Sequence, residues 1–166
     1  NPSEALLQER QELPGSVIFV GLEGTRPILV EVQALVSPSV FGYPKRLADG
    51  FDINRLGLLC AVMQKRGGVN LSTQDVYVNI VGGIKLSEPA IDLAIILAIA
   101  SAASGKLINT KAVVFGEVGL SGEIRSVNMP SVRLKEARKL GFGSAIVPYS
   151  IKDKNCLSVR TIAEAI

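Results

Sequence analysis

Residues 82–105 read GGIKLSEPAIDLAIILAIASAASG, and this stretch decides the fold. Pro89 stands in the predicted first turn of a helix that runs to Ser104, and Gly105 follows its end, as helix-terminal preferences favour. Because this helix is apolar on nearly every side, we expect it to be central and buried. Its first turn presents free backbone N–H groups, where a nucleophile would find an oxyanion hole. The residue after Pro89 is Ala90, which has no nucleophilic atom.

Shorter predicted strands and helices alternate on both sides of the central helix. The strands follow apolar runs between turn signals, and the helices show a partly apolar face. The predicted strands cover Ser16–Val20, Pro27–Val36, Asp75–Val81, Ala112–Phe115, Glu123–Arg125 and Ala145–Val147, and the two other predicted helices cover Ile53–Arg66 and Ser131–Leu140. Asp52 is the expected N-cap of the first of these two helices. This alternation predicts an α/β domain.

Two irregular segments define the expected organisation of the chain. Residues 1–14 are mostly polar and begin without Met, so we expect a joining segment from an upstream ATPase domain, ahead of a single domain over residues 15–166. Residues 37–52 are rich in Pro and Gly, which predicts a long exposed loop.

The composition excludes several kinds of chemistry. The 166 residues include no His, which removes Ser-His-Asp catalysis and His metal ligands, so nucleophilic catalysis would need Lys as its base. Cys60 and Cys156 are too few for a disulfide framework or a zinc site, which favours a cytoplasmic protein. No apolar run approaches the roughly 20 residues of a membrane span, so no membrane partner is expected. The net charge of +3 is compatible with a nucleic-acid partner.

Three regularly spaced glycines, Gly116, Gly119 and Gly122, superficially resemble a phosphate-binding loop. Their spacing fits neither the dinucleotide-binding fingerprint nor the P-loop pattern. We therefore predict that they form the turn of a hairpin, and that this part of the sequence holds no nucleotide site.

Two segments resemble the Lon-type protease family. SEPAIDLA at 87–94 resembles the catalytic-serine turn of that family, G-P-S-A-G, and FGEVGLSGEIRSV at 115–127 resembles a second conserved block. The resemblance implies an α/β fold with a two-layer mixed sheet and packed helices, of the Lon-protease-domain type (ribosomal-protein domain-2-like). It also implies that Ala90 replaces the catalytic Ser and Ser131 the catalytic Lys. Because neither residue can do that chemistry, we expect a pseudo-protease that is not an enzyme.

A relocated Ser-Lys pair is the enzymatic alternative. Ser87 lies three residues before Ala90, and Lys85 and Lys135 are the candidate bases. Ser87 is more simply interpreted as a helix N-cap, and Lys135 lies in LKEARK, a pattern typical of a solvent-facing helix. A working pair must also keep its geometry within about half an ångström. We therefore expect no catalytic residues.

Further segments resemble the bacterial RadA (Sms) family of DNA-repair proteins. They are NPSEALL at 1–7, EGTRPILVEVQALV at 23–36, D-x-N-R-L at 52–56, KRGG at 65–68 and DVYVNIVGG at 75–83. This resemblance implies recombinational repair by a ring-shaped, ATP-driven branch-migration motor that also has a zinc finger and a RecA-like ATPase core. It implies that ATP, Mg and Zn belong to those upstream domains and that this domain needs no cofactor. It further implies a homohexamer and a single-stranded or branched DNA partner.

Five basic residues are the candidates for contact with DNA. They are Lys45, Arg46, Arg55, Lys65 and Arg66. The predicted loop and one face of the Ile53–Arg66 helix could bring them into a single patch facing phosphates. Cations are also favoured at a helix C-terminus without any ligand, and Arg55 could instead pair with a carboxylate of a neighbouring subunit. The predicted helix that carries Arg55, Lys65 and Arg66 contains no aromatic residue, so base stacking is not predicted.

Three functions remain open at this point. The first is an inactive Lon-like domain that builds a ring and helps to hold DNA beside an ATPase. The second is an active Ser-Lys peptidase, which Ala90 and Ser131 oppose. The third is a relative of the magnesium-chelatase or competence type, because EPAIDLA at 88–94 also resembles those proteins. The segments at 1–4 and 52–56 favour the first over the third.

Overall fold

A computed structural model describes residues 7–8, 10–82 and 84–166 of the chain. The strands are β1 (Ser16–Glu23), β2 (Arg26–Pro38), β3 (Arg46–Asp49), β4 (Gln74–Ile80), β5 (Ala112–Val114), β6 (Glu117–Val118), β7 (Ile124–Arg125), β8 (Ser144–Pro148) and β9 (Cys156–Val159). The helices are α1 (Ile53–Arg66), α2 (Asp92–Ser104), α3 (Pro130–Lys139) and α4 (Ile162–Ala165). The proposed joining segment and the 1–7 and 75–83 resemblances fall partly outside the described residues.

Seven strands form one mixed sheet, which confirms the α/β class. Their order is β3-β4-β2-β1-β5-β8-β9. Strand β2 pairs antiparallel with β1 and β4, and the other neighbours in this order pair in parallel. Strands β6 and β7 form a separate antiparallel hairpin whose turn holds Gly119 and Gly122, which confirms the predicted turn for these two glycines. Gly116 was wrongly included in that turn, because it lies in the connection between β5 and β6.

The prediction of one long loop over residues 37–52 was wrong at both of its ends. Strand β2 continues to Pro38, and residues 46–49 form β3, which pairs in parallel with β4 from Arg46↔Val76 to Asp49↔Asn79. The physical reason is tertiary: four residues flanked by Pro and Gly show no useful periodicity, and they become a strand only because the edge of β4 is available.

The helices cover the sheet unevenly. Helix α2, buried from Asp92 to Ser101, packs on β1 and β2 as expected for a central apolar helix. Helix α3 packs on the opposite face, where its Leu134 and Ala137 lie beside Val113 of β5 and neighbouring β8. This third layer extends the expected two layers and explains why β1 is buried on both faces.

The remaining part of the α3 face is open. Across β3, β4 and the second half of β2, the register aligns Leu47, Tyr77 and Leu35, and the two Leu side chains are exposed. None of the described helices is long and apolar enough to cross a membrane.

Local sequence sets the ends of the two principal helices. The Asp52 carboxylate accepts a hydrogen bond from the backbone N–H of Asn54 at 3.0 Å, which confirms it as the N-cap of α1. Gly105 adopts φ 72° after α2, the left-handed conformation that glycine allows without strain. Ahead of α2, Pro89–Ile91 form one turn of 3₁₀ helix rather than the start of the α-helix.

Candidate functional site

An open cleft of about 610 Å³ lies where α1, the turn before α2 and the β6–β7 hairpin meet. Its charged lining groups are five carboxylates and two arginines. Its polar and charged lining residues are Asp52, Arg55, Ser87, Glu88, Asp92, Glu117, Ser121, Glu123 and Arg125. Because carboxylates outnumber cations here, the cleft does not favour a polyanion.

Ala90 lies in the 3₁₀ turn beside this cleft but is itself buried. Its carbonyl oxygen accepts a hydrogen bond from the backbone N–H of Gly116 at 2.8 Å, and the N–H of Leu93 donates to the Gly116 carbonyl at 3.0 Å. The backbone at Ala90 is therefore tied to the β5–β6 connection. The side chain there is a methyl group, which has no lone pair for nucleophilic attack.

The other positions considered for a Ser-Lys pair are exposed. Ser131 lies in the first turn of α3, and Lys85 and Lys135 also face solvent. The prediction that Ser87 caps the helix was wrong. The residue that precedes the 3₁₀ turn is Glu88, no side chain caps that turn, and Ser87 is exposed.

Arg133 is fully buried, and sequence reasoning missed it. Its guanidinium pairs with the Glu88 carboxylate and donates to the Val20 carbonyl at 2.8 Å. It also donates to the backbone carbonyl of Asn128 at 3.0 Å and to the side-chain oxygen at 2.8 Å, and it lies 5.7 Å from the centroid of the Phe115 ring. Every guanidinium nitrogen thus has a partner, which is what allows a charge to be buried.

The Glu88–Arg133 pair joins the segments that hold Ala90 and Ser131, the two residues predicted to replace a catalytic dyad. Glu88 stands two residues before Ala90, and Arg133 stands two residues after Ser131. The second carboxylate oxygen of Glu88 also accepts from the backbone N–H of Leu22 at 3.1 Å. The pair therefore fixes the turn before α2 against α3 and β1. The segment LKEARK was predicted to face solvent. Nothing in the local sequence pattern predicts that Arg133, the residue before it, is buried.

Arg55 pairs with Asp92, a fully buried residue at the start of α2. Its Nε donates to Asp92 Oδ1 at 3.1 Å, and one Nη donates to both Oδ2 and the Val118 carbonyl, the latter at 2.9 Å. The Val118 N–H donates to Asp92 Oδ2 at 3.1 Å. The partner of Arg55 is therefore a carboxylate of its own chain.

The two pKa values of this ion pair are shifted for different reasons. Burial raises the pKa of Asp92, and the hydrogen bonds from Arg55 and Val118 oppose that effect. The hydrogen bond to Asp92 raises the pKa of Arg55. Arg55 thus stays charged and remains committed to this carboxylate.

The other four candidate DNA contacts occupy one end of the molecule. Arg46 donates to the Gln74 carbonyl at 2.5 Å and to the Leu71 carbonyl at 2.9 Å, in the segment that follows α1. Lys65 and Arg66 are exposed in the last turn of α1. Because α1 runs back alongside β3, these groups and the adjoining Lys45 share the end of the domain at which α1 ends.

Arg55 lies away from this group. Eleven residues separate it from Arg66, which at 1.5 Å rise per residue is about 16 Å along the helix. The structure thus bonds Arg46 to the backbone of Leu71 and Gln74, past the end of α1, and places Arg66 beside Gly122 of the β6–β7 hairpin. It places Arg55 in the acidic cleft. Whether any of these residues contacts DNA stays a prediction.

A protein-family model described as subunit ChlI of Mg-chelatase matches residues 59–151, which is more than half of the chain. The chain therefore belongs to this family. The matched segment holds most of α1, all of α2 and α3, and the hairpin that borders the cleft.

Curated relatives place the chain more narrowly, since several of them are named DNA repair protein RadA. The protein from Bacillus subtilis is 48% identical over 100% of this chain, and that from Streptococcus pneumoniae is 50% identical over 100%. The protein from Halalkalibacterium halodurans is 51% identical over 93% of the chain. The chain is thus homologous to RadA along its length, and it spans 33% to 39% of the length of these three relatives.

Proposed function

We propose that this chain is a catalytically inactive, Lon-protease-like domain of a RadA-type DNA-repair protein. In this proposal it forms a ring with identical copies and helps to hold DNA during homologous recombination and branch migration. The observation that carries the proposal is the buried methyl group of Ala90 at the position of the nucleophile. Homology to proteins named for DNA repair supports the biological setting.

In this proposal, a buried ion pair stabilises the segments that would carry the catalytic residues of an active protease. A Ser-Lys mechanism needs a base free to accept a proton beside a nucleophile. Instead, the Glu88–Arg133 pair ties together the segments that hold Ala90 and Ser131. Arg133 has a second role in packing, because its guanidinium holds the Val20 carbonyl. This arrangement favours a rigid scaffold over a relocated catalytic site.

Exposed apolar groups support the proposed homohexamer. Leu35 and Leu47 are more than half exposed on the open sheet face. Val40, Phe41 and Tyr43, in the adjoining β2–β3 connection, are exposed by 83%, 76% and 85%. Large apolar side chains in contiguous exposed patches are typical of protein–protein contact. The open face and this connection are therefore proposed to meet another subunit.

The proposed DNA surface is centred on the C-terminal end of α1. Lys65 and Arg66 are exposed there, and Lys45 is an exposed neighbour. Arg46 contributes its charge while its guanidinium stays bonded to backbone carbonyls. Arg55 is the weakest of the five candidates because its carboxylate partner would have to be displaced.

A magnesium-chelatase role is the second candidate, since the family match includes that description. The RadA relatives match nearly the whole chain at about half identity, whereas the family model matches residues 59–151. We therefore propose DNA repair as the function and treat the family match as shared ancestry of the domain.

Replacing Lys65→Gln and Arg66→Gln together should weaken binding of single-stranded DNA without unfolding the protein. Each lost phosphate contact lowers the slope of log affinity against log salt by about 0.7 on single strands, so we expect a decrease of up to about 1.4. At low salt the affinity should fall by roughly three- to tenfold. Fluorescence anisotropy of a labelled oligothymidylate at several salt concentrations measures both quantities.

A matched control exists on α3. Lys135 and Lys139 are exposed on this helix, and neither forms an ion pair within the described residues. The double substitution Lys135→Gln and Lys139→Gln removes the same charge and should leave the salt slope unchanged. Equal losses in both double variants would show a general charge effect and would contradict a surface centred on α1.

A further inference from the structure

A cluster of two cations on one tyrosine lies at the end of the sheet opposite β3. It consists of Tyr149, Lys152 and Arg160, called here the tyrosine cluster. The Lys152 Nζ lies 3.0 Å from the centroid of the Tyr149 ring, and the Arg160 Cζ lies 3.7 Å from it. All three residues are exposed, Tyr149 by 41%.

The topology brings these residues together. Strands β8 and β9 pair in parallel, and Pro148 and Val159 are opposite each other at their ends. Tyr149 and Arg160 follow those two residues directly, so they leave the sheet side by side. A turn in which the Ile151 N–H donates to the Pro148 carbonyl at 3.0 Å then places Lys152 over the ring.

The positive charge of the cluster is unbalanced. Neither Lys152 nor Arg160 forms an ion pair within the described part of the chain, whereas nearby Asp153 is taken by Arg138 at 3.0 Å. The Glu164 carboxylate accepts from the Arg160 backbone N–H at 3.0 Å. A hydrogen bond from Lys152 and the positive charge of Arg160 lower the pKa of the Tyr149 phenol, as expected beside two cations.

Neutral hydrogen-bonding groups border the two cations. The hydroxyls of Ser126 and Ser150 share a hydrogen bond of 3.1 Å at the surface, and Ser150 adjoins Tyr149. Arg125 lies beside Ser126, although Glu117 and Glu123 are 4.0 Å and 3.9 Å from its guanidinium. Arg, Lys, Ser and Tyr side chains are the groups that proteins use to hold phosphate oxygens.

The β6–β7 hairpin connects the tyrosine cluster with the end of α1. A Cβ added at Gly122 would lie 2.9 Å from the Cβ of Arg66, and the Gly122 carbonyl accepts from the Ile162 N–H at 2.9 Å. The Ile124 N–H donates to the Arg160 carbonyl at 2.7 Å. Arg66 and Arg160 therefore both adjoin this hairpin. Because the hairpin also carries the carboxylates of Glu117 and Glu123, the end of α1 and the tyrosine cluster would contact a phosphate backbone as two separate sites.

We propose that the tyrosine cluster is a second contact site for the phosphate backbone of a nucleic acid. This inference rests on the proposed DNA-binding function and extends it past the residues at the end of α1. Lys152 and Arg160 supply the charge, Tyr149 holds both cations in place, and the two serines donate hydrogen bonds. The ring faces are occupied by cations, so the site contacts phosphates without stacking bases.

The test uses this chain and a labelled oligothymidylate. Lys152→Gln with Arg160→Gln should lower the salt slope by up to about 1.4 and weaken binding roughly three- to tenfold at low salt. Tyr149→Phe keeps the ring and should weaken binding by less than the double variant does. Lys135→Gln with Lys139→Gln is the control for lost charge, because both residues are exposed on α3 and the Arg138–Asp153 pair stays intact. Thermal melts check that each variant folds.

Three outcomes separate this proposal from the broader one. A loss with the Lys152–Arg160 variant and none with the Lys135–Lys139 control supports the cluster as a phosphate site. A loss with the Lys65–Arg66 variant alone overturns the cluster and leaves the proposed function standing. If the unaltered protein does not bind the oligonucleotide, both proposals fail, and a shift of the Tyr149 ring signals with pyrophosphate would then identify a site for small anions only.

Discussion

Replacing Arg133→Ala is expected to lower the free energy of unfolding by about 3–5 kcal/mol, the range for removing one partner of a buried ion pair. The side chain is fully buried, and its loss removes the only cation paired with Glu88 in the described residues and a hydrogen-bond donor to the Val20 carbonyl and to both Asn128 oxygens. Urea unfolding followed by circular dichroism measures the change.

Two comparisons make this result specific to the buried pair. Arg138→Ala removes a surface partner of Asp153 and should cost about 1 kcal/mol or less. The double variant Glu88→Gln with Arg133→Met removes both charges together and should be more stable than Arg133→Ala, because no unpaired carboxylate remains. A loss below about 1 kcal/mol for Arg133→Ala would contradict the role given to the pair.

Replacing Arg55→Ala should cost about 3 kcal/mol at neutral pH, because it leaves the Asp92 carboxylate buried with one backbone donor, Val118. Burial already raises the pKa of Asp92, and loss of the cation raises it further. A carboxyl whose folded pKa exceeds its unfolded pKa, about 3.9, makes the fold less stable as pH rises through that interval. The deficit should therefore shrink toward pH 4.

Unfolding in urea at pH 4 and pH 7 measures this dependence. Asp92→Asn removes the titrating group, so the deficit of the double variant Arg55→Ala with Asp92→Asn, measured against Asp92→Asn alone, should not change between the two pH values. A deficit of the single variant that is equal at both pH values would contradict an uncompensated carboxylate. Because Arg55 stabilises the fold, DNA-binding losses in Arg55→Ala must be compared at matched stability.

The central features of the fold could be predicted from local signals. Asp52 and Gly105 are end signals whose chemistry is local, and the apolar run of α2 is buried as its composition requires. Strand β3 could not be found in this way, because its pairing depends on an edge supplied by β4, 25 or more residues along the chain. The third layer could not be predicted either, because the packing of α3 on the sheet depends on strands that are distant in sequence.

Only some residues of the candidate site could be predicted from the sequence. Ala90 was predicted to replace a catalytic serine because its segment resembles the Lon-type serine motif. Its burial agrees with a central helix whose preceding turn lies in the core. Arg133 and Asp92 were missed because a buried charge looks like a surface charge until its partner, distant in sequence, is known. The tyrosine cluster was missed because parallel pairing of β8 and β9 brings Tyr149 and Arg160 together.

The central claim is that identical copies of this domain assemble and hold DNA without chemistry of their own. Light scattering of the chain in solution, with and without an oligothymidylate at two salt concentrations, tests it most directly. We expect a molar mass equal to six copies of the chain and an affinity for DNA that decreases steeply as the salt concentration increases. A monomer that does not bind the oligonucleotide at either salt concentration would contradict it.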